Sequence, residues 1–182
     1  MYVYMALNLN LVRTGSDFLY AICKLYENAF PEEERRPTDK FLNMIDAEPM
    51  FRTFALTIDG GFVGFITCWT FRDFTYVEHF AIEPLRRGEG YGGMALTCFL
   101  KSQNRPVVLE VELPLTIIAQ KRIHFYEKYQ FVRLLDRYQQ PPYRKGSSWL
   151  PMSLMLHKRN DIVLEVEEIK KVLYEYVYKV RM

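Results

Sequence analysis

Four glycines follow two arginines in one short stretch, LRRGEGYGG at residues 85–93. Gly88, Gly90 and Gly93 have the GxGxxG spacing, in which bare backbone at the start of a helix comes close to a phosphate group. Glycine allows this approach because it has no Cβ atom, and the neighbouring arginines add positive charge. The stretch therefore predicts a ligand that carries phosphate.

Two kinds of phosphate site could use such glycines. A dinucleotide-binding unit has its glycines directly after a strand, within repeated strand–helix–strand units. Here residues 83–87 separate the strand from the glycines, and a hairpin precedes that strand. A P-loop is excluded because no Lys-Ser or Lys-Thr follows the glycines. The dinucleotide site stays open beside a second pattern, Arg-x-x-Gly-x-Gly, which is formed by Arg87, Gly90 and Gly92.

The second pattern resembles the GNAT-type N-acetyltransferase superfamily. EHFAIEPLRRGEGYGGMAL is similar to the strand, pyrophosphate loop and helix of that family, and AQKRIHFYEKYQF is similar to its second signature. The resemblance covers residues 75–132, and Gln130 departs from it because most members have glycine there. It implies a GNAT-like fold and a reaction in which acetyl-CoA, as co-substrate, gives its acetyl group to a primary amine in a ternary complex.

Two sets of residues are expected to hold the cofactor. Coenzyme A carries a pyrophosphate, and the unpaired N–H groups at a helix N-terminus suit such an anion. The expected loop residues are Arg87, Gly88, Glu89, Gly90, Tyr91 and Gly92. By the resemblance, the preceding strand carries the pantetheine arm on the backbone of Phe80, Ala81 and Ile82. One N–H group of this strand could also polarise the thioester carbonyl.

Acetyl transfer to an amine needs a base, because only the unprotonated amine attacks, and an acid for the departing thiolate. The resemblance places Tyr126 at the usual tyrosine of the family, so Tyr126 is the expected acid. Strand alternation directs His79 away from Glu78. We therefore expect His79 to be a packed, hydrogen-bonded histidine rather than a base.

Three carboxylates lie in otherwise apolar strands, where a charge is costly without a partner or a use. They are Glu78, Glu110 and Glu112. Glu78 is the expected base because its strand adjoins the expected thioester site, and a salt bridge to Arg122 or His124 is the alternative. Glu110 and Glu112 share one face of their strand and are expected to bind a cationic amine.

Hydrophobic periodicity predicts the elements that position these residues. Strands are expected at residues 6–12, 51–58, 62–70, 75–82, 107–113, 131–138 and 149–156. Helices are expected between Ser16 and Pro31 and at residues 40–45, 94–101, 117–129 and 162–180. The predicted fold class is α/β (α+β). It is one domain over residues 1–182, with a mixed, mostly antiparallel sheet of about seven strands, flanking helices and an extra C-terminal helix.

Composition limits the function further. The 182 residues carry a net charge of only +2, so we expect neither a nucleic-acid binder nor a membrane-surface protein. Three widely spaced cysteines and the absence of a basic leader segment favour a cytoplasmic protein with reduced thiols and no metal site. The run PEEERRP is expected to be a solvated loop.

Besides the dinucleotide site, three questions stay open at this stage: whether the chain is catalytically active, which kind of amine it uses and whether it forms a homodimer. A catalytically silent acyl-CoA-binding or regulatory domain would keep the glycine loop without needing Tyr126 or the strand carboxylates. The acceptor is either a small-molecule amine or a peptide amine. A homodimer contact through Tyr174, Tyr176 and Tyr178 on the last helix is also conceivable.

Overall fold

The computed structural model describes residues 6–134, 137–158 and 163–180. The strands of this part are β1 (Leu7–Leu11), β2 (Phe51–Ile58), β3 (Gly61–Thr70), β4 (Thr75–Ile82), β5 (Val107–Glu112), β6 (Phe131–Arg133), β7 (Tyr138–Gln140) and β8 (Leu150–His157). Its helices are α1 (Leu19–Ala29), α2 (Thr38–Ala47), α3 (Tyr91–Ser102), α4 (Ile117–Lys128) and α5 (Val166–Val172). A π-helical turn, Leu173–Val177, continues α5.

The strands form one sheet in the order β1-β2-β3-β4-β5-β8-β6, and β7 also pairs with β8. Every pairing among the described strands is antiparallel except that of β4 with β5. The predicted mixed, mostly antiparallel sheet is therefore confirmed. It has eight strands rather than about seven, because the predicted strand at residues 131–138 divides into β6 and β7.

The parallel strands β4 and β5 separate from each other after a short paired stretch. Only Thr75–Val77 pairs with Val107–Leu109. Beyond these residues β5 continues to pair with β8 on its other side, and β4 continues to pair with β3. A cleft therefore opens in the middle of the sheet, bordered by residues 78–82 of β4 and 110–112 of β5.

Two hydrophobic layers cover the sheet. One face packs against α1, α2 and the C-terminal segment through buried residues such as Tyr26, Phe41 and Leu173. The other face packs against α3 and α4 through residues such as Phe99 and Ile123. Each large apolar side chain that is fully buried in these layers contributes about 1.5–3 kcal/mol to the free energy of unfolding.

The structure bears on three local expectations from the sequence. The run PEEERRP is not fully solvated, because Arg36 is only 8% exposed. The tyrosines considered for a homodimer contact differ in exposure: Tyr174 and Tyr178 are buried within the chain, and Tyr176 is exposed. The predicted start of the last helix, residue 162, lies outside the described residues, and the helix that is seen begins at Val166.

The three cysteines are free thiols. In the part of the chain that the structure describes, none of the helices is both long enough and apolar enough to cross a membrane.

Candidate active site

A cavity of about 350 Å³ lies in the cleft between β4 and β5. It extends from the first turn of α3, past α4, to the end of α1. The sequence-predicted site residues that line it are Glu78, Phe80, Ala81, Ile82, Arg87, Gly92, Glu110 and Tyr126. Gly88, Glu89, Gly90 and Tyr91 form the adjoining loop and helix start. The fold thus gathers residues from four elements around one space.

At one end of the cavity, the glycine loop leads into α3. Gly88 and Gly90 both have φ of 84°, a left-handed conformation that glycine adopts without Cβ strain. The first helical hydrogen bond runs from Met94 N–H to Gly90 O at 3.1 Å. The amides before Met94 therefore have no acceptor within the helix and can bind an anion.

The side chains of this loop hold it in place. Arg87 donates from Nε to the Ile82 carbonyl at 3.0 Å and so ties the loop to the end of β4. Arg86 and Glu89 form an exposed pair at 3.8 Å, while the ring of Tyr91 is buried. A Cβ atom on Gly92 would be 3.7 Å from Ile82 and Phe125, so the protein itself leaves room there.

Midway along β4, a bulge changes the direction of the side chains. Thr67 pairs with His79 but the next residue, Cys68, pairs with Val77, so Glu78 is the extra residue of the bulge. Simple alternation predicted opposite faces for Glu78 and His79. Instead His79 Nδ1 lies 3.9 Å from a Glu78 carboxylate oxygen. That expectation is wrong because a bulge adds one residue and shifts the alternation.

The Glu78 carboxylate is fully buried and has a cationic partner. Arg36 Nη1 pairs with it, Trp69 Nε1 donates to it at 3.0 Å, and the Tyr143 hydroxyl donates to it at 2.9 Å. Burial alone would raise the pKa of Glu78, but the attraction of Arg36 and these hydrogen bonds outweigh it and lower the pKa. The predicted partners, Arg122 and His124, bind other carboxylates.

Glu110 has a different environment, although it borders the same cavity. The Tyr138 hydroxyl donates to its Oε1 atom, and the Tyr178 hydroxyl donates to its Oε2 atom at 2.7 Å. Burial raises the pKa of Glu110 to about 7, against the opposing effect of hydrogen bonds from the tyrosines around it, first Tyr138 and then Tyr178. Its hydrogen-bond partners among the described residues are neutral phenols, so this carboxyl can both lose and regain a proton near neutral pH.

Glu112 lies farther out, where the exposed guanidinium of Arg122 pairs with it. Glu34 reaches the same region from the turn after α1 and lines the cavity. Burial raises the pKa of Glu34, and the nearby charge of Glu112 adds to the rise. The cavity is thus acidic on the side away from the glycine loop.

Tyr126 presents its ring to the cavity from α4. The ring is packed between Phe125 and Phe131, with centroid distances of 5.2 and 5.6 Å. Burial raises the pKa of the Tyr126 hydroxyl to about 12, so it carries its proton at neutral pH. Among the described residues, the Tyr126 hydroxyl has no hydrogen-bond partner.

His79 is buried and hydrogen-bonded, which confirms the prediction made for it. Its Nδ1 atom lies 3.2 Å from the Thr67 hydroxyl, and its Nε2 atom lies 3.2 Å from the Glu34 carbonyl oxygen. Burial lowers the pKa of His79 to about 4, so the ring is neutral at pH 7. Within residues 6–134, 137–158 and 163–180 no cluster of His, Cys, Asp or Glu side chains could hold a metal ion.

Sequence reasoning missed four side chains that shape the site. They are Arg36, Tyr138, Tyr143 and Tyr178. Arg36 stands in a run of charges that resembles a solvated loop, and the tyrosines come from segments far apart in the chain. The presence of two unexplained carboxylates in apolar strands was the one signal that such partners must exist.

Comparisons with known proteins agree with this architecture. A family model described as "Acetyltransferase (GNAT) domain" matches residues 49–133. A protein from Bacteroides thetaiotaomicron assigned to the GNAT family of acetyltransferases is 36% identical, with a TM-score of 0.90 over 96% of this chain and 99% of that one. None of the curated proteins that were compared matches the sequence.

Two more distant structures share the fold. Ard1 from Thermoplasma volcanium is 25% identical, with a TM-score of 0.62 over 88% of this chain and 99% of its own. The yncA protein from Salmonella typhimurium, solved with its cofactor acetyl-CoA, is 16% identical, with a TM-score of 0.60 over 87% of this chain and 98% of its own.

Proposed function

Because the chain belongs to the GNAT family of acetyltransferases, we propose that it transfers the acetyl group of acetyl-CoA to a primary amine by direct attack in a ternary complex. The observation that carries this proposal is the cleft between β4 and β5. It has an anion-binding loop at one end, a buried hydroxyl at its side and a carboxyl with a pKa of about 7 at the other end.

The residues present fit the cofactor. The amides from Gly88 to Gly92, beside the charge of Arg87, would bind the pyrophosphate, and the two left-handed glycines keep side chains away from it. The backbone of Phe80, Ala81 and Ile82 borders the cleft where β4 has left β5, so it would hydrogen-bond the pantetheine arm. Acetyl-CoA, when bound there, supplies the activated acyl group.

We assign the proton acceptor to Glu110, although the sequence favoured Glu78. A carboxylate held by a buried arginine is a weak base, because protonation would leave the arginine charge uncompensated. Glu110 has only hydroxyl donors around it and titrates near the pH at which a general base is most useful. Glu78 then serves to fix Arg36 and Tyr143 beside the cavity.

The chemical step follows from these positions. Glu110 takes one proton from the ammonium group of the acceptor, and the free amine nitrogen then attacks the thioester carbon while an N–H group of β4 stabilises the oxyanion that forms. The C–S bond then breaks, and the thiolate takes the proton of the Tyr126 hydroxyl. The amide nitrogen gives its remaining extra proton through solvent to the Tyr126 phenolate, and Glu110 releases its proton to solvent. Glu34, Glu110 and Glu112 would draw a protonated amine into the cavity.

The test is an acetyl-CoA consumption assay that detects free thiol across a panel of small primary amines and peptide N-termini. We expect thiol release with at least one class of amine. The Gly90→Asp variant is the control, because bulk and negative charge against the pyrophosphate should abolish cofactor binding. Tight calorimetric binding of acetyl-CoA with no thiol release across the whole panel would favour the silent acyl-CoA-binding domain instead.

A further inference from the structure

The C-terminal segment contains an irregularity that changes which tyrosine faces the sheet. Tyr178 lies nine residues after the buried Ile169, about two and a half turns at 3.6 residues per turn. A regular α-helix would therefore direct Tyr178 away from the core. Instead the Tyr178 N–H bonds to the Leu173 carbonyl at 3.0 Å, five residues back, and this π turn leaves Tyr178 only 8% exposed. Such turns are common at functional sites.

The hydroxyl of Tyr178 donates a hydrogen bond to the carboxyl of Glu110. It lies 2.7 Å from Glu110 Oε2 and 3.2 Å from the hydroxyl of Tyr76. Because Tyr178 has a single hydroxyl proton, which it gives to Glu110, Tyr76 is the donor in the second contact. The Tyr143 hydroxyl lies 3.4 Å from the Tyr178 hydroxyl and gives its proton to Glu78. Tyr76 and Tyr178 therefore form an ordered chain of hydrogen bonds that ends on Glu110.

We propose that Tyr178 is a positioning residue for acetyl transfer. The π turn brings its hydroxyl to the cleft, where it orients the Glu110 carboxyl and stabilises its ionised form. This inference rests on the proposed function, in which Glu110 accepts the amine proton. It adds the C-terminal segment, which lies outside residues 75–132 where the family resemblance is strongest, to the catalytic apparatus.

The groups that face Glu110 explain the sign of the expected effect. Tyrosine hydroxyls approach it from β4, β7, the loop after β7 and the C-terminal segment: Tyr76, Tyr138, Tyr143 and Tyr178. A charged group also faces Glu110: the negative charge of Glu78 raises the pKa of Glu110, and the partner of Glu78 is Arg36. Removing one hydroxyl donor therefore leaves the ionised form less stable and raises the pKa of Glu110 further.

The experiment compares pH profiles of kcat/KM for the full chain and its Tyr178→Phe variant. We expect the acidic limb to move up by about one pH unit, which makes the variant about tenfold slower near pH 6 while the plateau at high pH is retained. Tyr174→Phe is the matched control. Tyr174 lies in the same segment but donates to the Gln139 carbonyl at 2.6 Å, so its loss should leave the limb unmoved. A Tyr178→Phe profile that falls evenly at every pH would overturn the proposal.

A second measurement separates this inference from the proposed function. In protein labelled with ¹³C at the glutamate carboxyls, the Glu110 resonance is identified by its loss in Glu110→Gln, and its titration is followed without turnover. We expect a higher midpoint in Tyr178→Phe and a smaller rise in Tyr76→Phe, which keeps the test available if the first variant does not fold. An unmoved midpoint in a folded variant refutes the role of Tyr178 even if acetyl transfer occurs. A raised midpoint supports it even if no amine on the panel is acetylated.

Discussion

At the scale of single residues, the site contains two buried carboxyls whose pKa values are shifted in opposite directions. Glu78 and Glu110 each follow the last residue at which β4 and β5 pair with each other, so they stand at the same level of the cleft. Arg36 lowers the pKa of Glu78, whereas burial among phenols raises that of Glu110. Environments that push two pKa values apart identify separate roles, here an anchoring carboxylate and a titrating one.

The sequence identified both carboxylates but not their partners. A charged residue within an apolar strand is visible in the sequence, because its burial would be costly. Arg36 gives no such signal, since the charged run around it is typical of a loop that faces solvent. Its burial depends on Glu78 and on the Val177 carbonyl, which accepts from Arg36 Nη2 at 2.7 Å. Both partners are distant in the chain.

Tyr126 provides the first prediction at this scale. Replacing it with phenylalanine keeps the ring between Phe125 and Phe131 and removes only the proton that the thiolate would take. We expect kcat to fall by about a hundredfold, the lower end of general-acid effects. Calorimetry should find the affinity for acetyl-CoA nearly unchanged. Full activity of Tyr126→Phe across the pH range would show that another group, or water, protonates the thiolate.

At the scale of elements, the regular parts of the fold are easier to predict than its irregular parts. Strands β2 and β4 have the bounds that hydrophobic periodicity predicts, and the turn at Asp59 and Gly60 joins β2 and β3 as expected. The bulge at Glu78 and the π turn before Tyr178 were not predicted. Each of these irregularities adds one residue to a regular repeat. Pairing or packing with distant segments holds the extra residue in place. The bulge directs Glu78 to the cavity, and the π turn directs Tyr178 to Glu110, which lines the cavity.

Gly92, in the first turn of α3, allows a test of the glycine loop as a whole. The protein leaves room for a methyl group there, and alanine favours a helix over glycine by about 1 kcal/mol. Gly92→Ala should therefore melt at the same temperature as the unmodified chain or higher. It should nevertheless bind acetyl-CoA at least tenfold more weakly by calorimetry, since the methyl group would approach the pyrophosphate.

Gly64 on β3 is the contrasting control for this prediction. A Cβ atom at Gly64 would collide with the Ala81 carbonyl oxygen of β4, which is backbone and cannot move aside cheaply. Gly64→Ala should thus lower the melting temperature, unlike Gly92→Ala. If Gly92→Ala binds acetyl-CoA as tightly as the unmodified chain, the amides of this turn do not hold the pyrophosphate.

At the scale of the whole molecule, three distant segments are joined where the cavity is acidic. Arg144, in the loop after β7, donates to the carbonyls of Glu32 and Arg35. Arg36 binds the carbonyl of Val177, and Tyr174 binds the carbonyl of Gln139. The PEEERRP run and the loop after β7 are therefore linked to each other and to the C-terminal segment. Such long-range contacts are the part of a site that local sequence patterns do not specify.

The free energy of unfolding of the whole chain should depend on pH through the titration of Glu110. In the unfolded chain its pKa is close to 4.5, and in the folded chain it is about 7. The folded state therefore binds more protons than the unfolded state between these values, and stability falls as the pH rises through this window. The free energy of unfolding falls by about 3 kcal/mol across this window and keeps the lower value above pH 7. Glu78 acts with the opposite sign and at lower pH, because its pKa is lowered on folding.

Glu110→Gln isolates this contribution, because glutamine does not titrate while Glu78 and the other groups remain. The free energy of unfolding of both proteins is measured with urea at about pH 5 and about pH 8. Relative to the unmodified chain, the variant should be more stable at the higher pH than at the lower one. An equal difference at both values would mean that the Glu110 carboxyl titrates as it does in water and is not the base. The expected result has a functional meaning, since the ionised carboxyl that destabilises the fold above pH 7 is the form that can accept the proton of an amine.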